Sequence, residues 1–289
     1  MVIQSQKLSA SPYDLASTLT CGQAFRWTRW DHTSVGVIDD HWIQVSQQGP
    51  SLHVSTTHSS PNWKRIEDYF QVRLDLDNVT RSFPMDSHLR EAKRAYRGLR
   101  LLKQSPWECL ASFILSSNKQ IPHIQQIITR LTQRFGTPLE VPPGHEPLAS
   151  FPTAAHLASV SEADLRKLGM GYRAPFLSEA ARRVSDGRLV LQSLFEMPYP
   201  EAFASLQTLP GVGPKIANCV LLFAFQKQEA FPIDVWIKRA LSTLYFSDAS
   251  PSPKQLEAFA RSYFNPYAGY AQQYLFHYVR NQPRSPQPH

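Results

Sequence analysis

Lys215 follows two glycines and a proline in LPGVGPKIA, residues 209–217. An ordinary surface lysine sits on a helix flank, whereas this one stands at the seam between a tight turn and the apolar run IANCVLLFAF. The turn, and the proline after it, predict that one helix ends near Gln207 and a second starts with Pro214 at its first position. On that second helix Lys215, Asn218, Cys219 and Leu222 fall on one face at i, i+3, i+4 and i+7. An amine held among a thiol and apolar groups loses solvation, which favours its neutral form and makes it a nucleophile for an electrophilic carbon. A charged lysine that contacts phosphate fits the same spacing, and spacing alone does not choose. Downstream, FPIDVWIKRAL places Asp234 between an extended segment and an amphipathic helix. A carboxylate there serves as N-cap and can also project negative charge into the groove that Lys215 faces.

Gly211 and Gly213 lack Cβ, so the chain can turn sharply and an anion can approach the N–H groups at the start of the second helix, where the dipole also favours negative charge. This helix-hairpin-helix suits a sequence-independent grip on a DNA backbone; a plain connector between packed helices is the alternative. The net charge of +7, from 30 Lys and Arg against 23 Asp and Glu, agrees with a polyanionic partner.

Other elements must position these residues. Between Cys21 and His58 the runs FRWTRW, TSVGVID, HWIQVSQQ and SLHVSTT alternate in polarity, with turn signals at Asp39-Asp40 and Gly49-Pro50. They predict an antiparallel meander. One short helix is expected near residues 60–70, and helices follow one another from about residue 88. Ser105 with Glu108 and Ser252 with Gln255 read as capping boxes with proline at the first helical position, and Ser161 with Asp164 resembles them. The expected fold class is α+β: an antiparallel β-sheet domain over residues 1–88, then a larger α-helical region over 89–280 that contains the hairpin at 208–214. The proline-rich end NQPRSPQPH, 281–289, is expected to be disordered.

Three cysteines (Cys21, Cys109, Cys219) are too few and too scattered for a disulfide framework or a four-cysteine metal site. His32, His41, His53 and His58 gather in the meander without metal-ligand spacing, and no metal is expected there. No stretch approaches the roughly 18 apolar residues of a membrane span, and the first residues have no signal-peptide core. A soluble intracellular protein is expected.

LPGVGPKIAN followed by PIDVWIKR resembles the helix-hairpin-helix, Gly/Pro-Asp signature of base-excision DNA glycosylases. CGQAFRW (21–27), SPWECLASFILSSNKQI (105–121), LGMGYRAPFL (168–177) and YAGYAQQYLF (267–276) narrow that resemblance to the 8-oxoguanine DNA glycosylase/AP lyases. The matches run in the family's order from about residue 8 to residue 280. The resemblance implies that Lys215 attacks the sugar C1′ and forms a Schiff base, that Asp234 stabilises charge on the sugar, and that strand β-elimination follows. It also implies a base pocket of Gly22, Cys219, Gln272 and Phe276. The Gly22 carbonyl would accept the N7–H that oxidation adds to guanine, Gln272 would read the Watson–Crick edge, and Cys219 and Phe276 would sandwich the ring. Asn118 would fill the vacated space in the duplex, Tyr172 would act as a wedge, and Arg173 would hold the orphaned cytosine. Gly211 and Gly213 would carry the hairpin's grip on double-stranded DNA. No cofactor is implied, although the hairpin carbonyls could hold a monovalent cation, and a monomer is expected. His123 and Trp236 depart from the family pattern, standing where better-known members place an arginine and a histidine, which weakens the expected preference for cytosine. A glycosylase for another damaged purine and a non-catalytic hairpin module are the rival readings.

Overall fold

The structure, a computed structural model, describes residues 2–247 and 250–282. Strands β1 (Gln4–Ser9), β2 (Thr28–Trp30), β3 (Thr33–Ile38), β4 (His41–Gln48) and β5 (Ser51–Thr56) make one antiparallel sheet of order β1-β5-β4-β3-β2. The two signalled turns are where the sequence placed them. Ile38 pairs with His41 across Asp39-Asp40, and Gln48 pairs with Ser51 across Gly49-Pro50. Asp39 and Gly49 take positive φ, the conformation that two-residue hairpins demand. The meander lacked β1. Its QSQKLS is almost wholly polar and becomes a strand because Gln4 to Ser9 pair along β5.

Helix α1 (Leu15–Thr20) follows β1, and α2 (Trp63–Phe70) follows the sheet. Ile66, Tyr69 and Phe70 sit at i, i+3 and i+4 on α2 and close a core with Ile43, Val45, Leu52 and Val54. Apart from Leu102, that core draws its residues from the chain up to Val72, and from Leu76 the apolar side chains of α3 (Leu76–Arg81) and α4 (Ser87–Ala95) enter a second, larger cluster. The remaining helices build it: α5 (Pro106–Leu115), α6 (Ile121–Phe135), α7 (Ala154–Ser159), α8 (Glu162–Leu165), α9 (Ala174–Ser185), α10 (Tyr199–Gln207), α11 (Pro214–Phe223), α12 (Val235–Tyr245), α13 (Pro253–Tyr263) and α14 (Ala268–Asn281). Helix α14 carries the chain to Asn281, so the expected tail does not begin there; its residues 283–289 lie outside the described part.

Helices α5 and α11 are the axis of the helical layer. Cys109 to Leu115 and Ile216 to Phe223 are buried without a break, as expected of helices surrounded on every side. Ser252 and Gln255 form the predicted reciprocal capping box, and the Ser161 side chain accepts from the Asp164 N–H. The box predicted at Ser105 does not form. Glu108 turns away to pair with Arg26 at 3.1 Å, because a mostly buried guanidinium beside it offers a stronger partner than the N-cap amide.

The two layers are sewn together through Gln23, which is fully buried. Its amide donates to the carbonyls of Thr18 and Arg100 at 2.8 Å and accepts from the Leu102 N–H at 2.8 Å. Gln273 on α14 donates to the Cys21 carbonyl at 2.8 Å. These bonds fix the turn that carries Gly22 against the C-terminal helix.

Candidate active site

The hairpin is α10, the turn 208–213, and α11, with Gly213 as N-cap and Pro214 opening the helix. Gly211 has φ +79°, and a Cβ there would lie 2.4 Å from the Phe176 ring, so both backbone and neighbour require glycine. Gly213 is different: its φ of −86° suits any residue, and the space where a Cβ would point is empty. What it leaves is room beside the open N–H groups of α11, as an approaching phosphate needs.

Lys215, half-buried in the first turn of α11, donates from Nζ to the Ser116 Oγ at 3.3 Å and lies 5.2 Å from the centre of the Phe113 ring. One turn on, burial pushes the Cys219 thiol up to about 11, against the pull of the nearby Lys215 charge. The thiol is therefore neutral and acts as a surface for packing. Asp234 caps α12, accepting from the Ile237 N–H at 2.8 Å. Burial raises its pKa, opposed first by the Ile237 N–H and then by the Lys215 charge.

Asn218 ties these pieces together. Its Oδ1 accepts from the Tyr199 hydroxyl of α10 at 2.7 Å and from the Phe231 N–H at 3.2 Å, and its Nδ2 donates to the Pro214 carbonyl at 2.9 Å. A single buried amide so joins both hairpin helices to the segment that leads into Asp234. The i+3 spacing from Lys215 put Asn218 on the right face, but its partners Tyr199 and Phe231 had no local signal.

Lys215 and Asp234 meet at a small pocket whose other walls are Gly22, Phe113, Cys219, Phe223, Pro232, Gln272, Gln273 and Phe276. All four predicted base-pocket residues are thus brought together, from positions up to 254 residues apart in the chain. Gly22 has φ +83°, and a Cβ would stand 2.9 Å from the Ile121 Cδ1. Gln272 is 4% exposed, yet its Oε1 has no hydrogen-bond partner among the described residues. An orphaned buried acceptor costs about 1–3 kcal/mol, so its place in a binding pocket points to a ligand that donates to it. The pocket offers about 50 Å³, room for a few waters at roughly 10–15 Å³ each. A heterocycle enters only if a wall moves, and half-buried Phe276 is the wall nearest solvent on α14.

A groove of about 860 Å³ runs past Lys215, lined by Ser116, Asn118, Lys119, Gly211, Gly213, Asp234, Trp236 and Lys238 among others. Asn118 is two residues beyond the cap of α5 in left-handed conformation, φ +50°, and is therefore not the helix cap. Its Nδ2 donates to the Tyr172 hydroxyl at 3.2 Å. Arg173, predicted to face the orphaned base, is 4% exposed and turned inward. Its Nε donates to the Ser117 carbonyl at 2.8 Å, its Nη2 to the same carbonyl and to Tyr172, and its Nη1 to the Met170 carbonyl at 3.3 Å. Four of five guanidinium hydrogens are engaged, so Arg173 holds the Asn118 loop to the Tyr172 turn and keeps one donor. His123 is exposed at the start of α6, and Trp236 lines the groove.

A hairpin that delivers a lysine beside an acidic helix cap, over a pocket with an unpaired acceptor, defines a class. Residues 111–266 match the family described as HhH-GPD superfamily base excision DNA repair protein, and residues 5–110 match the 8-oxoguanine DNA glycosylase N-terminal domain. The chain belongs to the 8-oxoguanine DNA glycosylase family of that superfamily. It is 33% identical to the N-glycosylase/DNA lyase OGG1 of Arabidopsis thaliana over 93% of this chain and 78% of that protein. Identity to the N-glycosylase/DNA lyase of Saccharomyces cerevisiae is 30%, over 80% of this chain and 68% of that one. The fold superposes with a TM-score of 0.89 on Clostridium acetobutylicum 8-oxoguanine glycosylase/lyase bound to DNA with cytosine opposite the lesion; that match has 30% identity and covers 97% of this chain and 98% of the other.

Proposed function

We propose that the protein is a bifunctional DNA glycosylase and AP lyase that extrudes 8-oxoguanine from duplex DNA and excises it. The observation that carries this reading is the unpaired Gln272 Oε1, buried in a pocket that also holds Lys215 and Asp234. The Watson–Crick edge of an oxidised guanine presents N–H donors, which satisfy that oxygen, while the Gly22 carbonyl takes the added N7–H. Cys219 and Phe276 supply the two faces between which the ring stacks.

In this reaction Lys215 gives up an ammonium proton, its neutral nitrogen forms a bond to C1′ as the bond from C1′ to the base breaks, and the departing purine takes the bonding electrons and a proton. Asp234 offsets the positive charge that gathers on the sugar. Loss of a proton and ring opening give an imine, and removal of a C2′ proton then expels the 3′ phosphate. The reading calls on no cofactor in any step. A monovalent cation at the turn is a secondary element: the Leu209 carbonyl already accepts from the Val212 N–H at 3.1 Å, leaving one lone pair and its neighbours to bind it.

Asn118 and Tyr172 enter the duplex as one hydrogen-bonded unit, and Arg173 reaches a cytosine through its remaining donor or by exchanging its bonds to Ser117. With histidine at position 123 the orphaned base has one arginine contact fewer than the family pattern offers, so discrimination against other opposite bases is weaker. A DNA substrate and three unpaired, buried cysteines suit an intracellular setting. Among the described residues no helix is long and apolar enough to cross a membrane.

The test is to incubate the protein with duplexes carrying 8-oxoguanine opposite each base and add borohydride. A covalent adduct is expected that Lys215→Gln abolishes. Base release without an adduct would replace the lysine by water, and binding with neither would remove the enzymatic reading.

A further inference from the structure

Helix α14 presents Gln272, Phe276 and Arg280 at i, i+4 and i+8, a single stripe that begins with two pocket-lining residues and ends at Arg280, beside Gly22 and Phe276. Gln272 is 4% exposed, and Phe276 and Arg280 are each half-buried. The Arg280 Nη1 lies 3.7 Å from the point a Cβ on Gly22 would occupy, and its guanidinium carbon is 5.9 Å from the centre of the Phe276 ring. Among the described residues it has no acidic partner and no hydrogen bond, unlike Arg173, whose donors are nearly all engaged. A basic side chain in the last turn of a helix suits the helix dipole, but the dipole does not explain why this one folds over Phe276 and Gly22.

We propose that Arg280 is a further binding residue, whose guanidinium grips a phosphate of the extruded nucleotide and so retains the base in the pocket. The inference rests on the glycosylase reading above. A base that reaches Gln272 leaves its sugar and phosphates at the mouth, close to a cation whose planar donors are unengaged among the described residues and can form paired charge-assisted hydrogen bonds. The contact exists only after extrusion, so Arg280 favours the flipped state over the stacked one. It therefore adds to lesion selectivity without touching the lesion's distinguishing atoms.

The experiment uses Lys215→Gln as the uncleaving reference and compares it with the same protein carrying Arg280→Gln or Arg280→Lys. Dissociation constants are measured against salt for an 8-oxoguanine duplex and for the undamaged duplex, with urea midpoints confirming that each variant is folded. Arg280→Gln is expected to weaken lesion-duplex binding about tenfold and to reduce the log–log salt slope by about 0.9, one phosphate's worth. The undamaged duplex should show neither change, and Arg280→Lys should retain the slope. Weaker binding with an unchanged slope would assign Arg280 to the base edge and overturn the phosphate contact. An equal loss on both duplexes would make it a general backbone contact, and no change at all would remove it from recognition. A reference protein that binds both duplexes equally well would instead sink the glycosylase reading itself.

Discussion

Replacing Asn218 by alanine should damage both stability and chemistry, and the size of each effect follows from its three bonds. The Pro214 carbonyl lies four residues before the Asn218 N–H and keeps an intrahelical partner, so losing the Nδ2 bond costs little. The Phe231 N–H is the larger loss: it is buried and left unsatisfied, at about 1–3 kcal/mol. The half-buried Tyr199 hydroxyl adds about 1 kcal/mol more, giving a total of roughly 2–4 kcal/mol. The segment freed is the one that leads from Phe231 to Asp234. Single-turnover base release should therefore fall more than duplex affinity, since binding depends on the hairpin and the groove. Asn218→Asp keeps the oxygen that accepts from Tyr199 and Phe231, so it should recover most of the rate that alanine loses. Urea unfolding and single-turnover kinetics on an 8-oxoguanine duplex measure both effects. Native stability in Asn218→Ala, or equal loss in the alanine and aspartate variants, would refute the assignment of Asn218 as the tie between hairpin and catalytic cap.

Asp234→Asn retains a side-chain oxygen for the Ile237 N–H, so urea unfolding should register a change within about 0.5 kcal/mol. Base release in a single turnover should still fall by about 10²–10³ because the counter-charge to the sugar is gone. Gln272→Met should leave stability unchanged or raise it, since it removes a buried acceptor without a partner, while lesion-duplex affinity falls; a destabilised variant would show that the oxygen is satisfied in the free protein. Burial lowers the His277 pKa from 6.5 to about 4, with Arg280 adding to the effect. The folded state thus favours the neutral ring, and the unfolded chain binds the proton more readily between those values. Stability present above pH 6.5 is lost as the pH falls through 4, by up to about 3 kcal/mol, and His277→Gln should flatten that part of the pH profile of unfolding.

Features with short-range causes were legible in the sequence. The hairpin at residues 208–214 follows from Gly211, whose φ of +79° favours glycine, and from Pro214, which opens a helix at no hydrogen-bond cost. Asp234 as a cap and the turns at Asp39-Asp40 and Gly49-Pro50 are of the same kind, each decided by groups within four residues. Spacing on α11 correctly set Lys215 beside Cys219, but the choice between phosphate contact and nucleophile needed the wider resemblance.

Only the tertiary structure decided which partner each remaining side chain took. Strand β1 is a polar segment that β5 makes into a strand, and Glu108 left a favourable local cap for an arginine 82 residues away. Arg173 turned from the groove toward the Ser117 carbonyl, and Arg280 came to lie beside Gly22 because Gln273 fastens α14 to Cys21. Hydrogen bonds and burial are competitions among all the groups that come within reach. A local pattern names one competitor, and the packed chain brings the others.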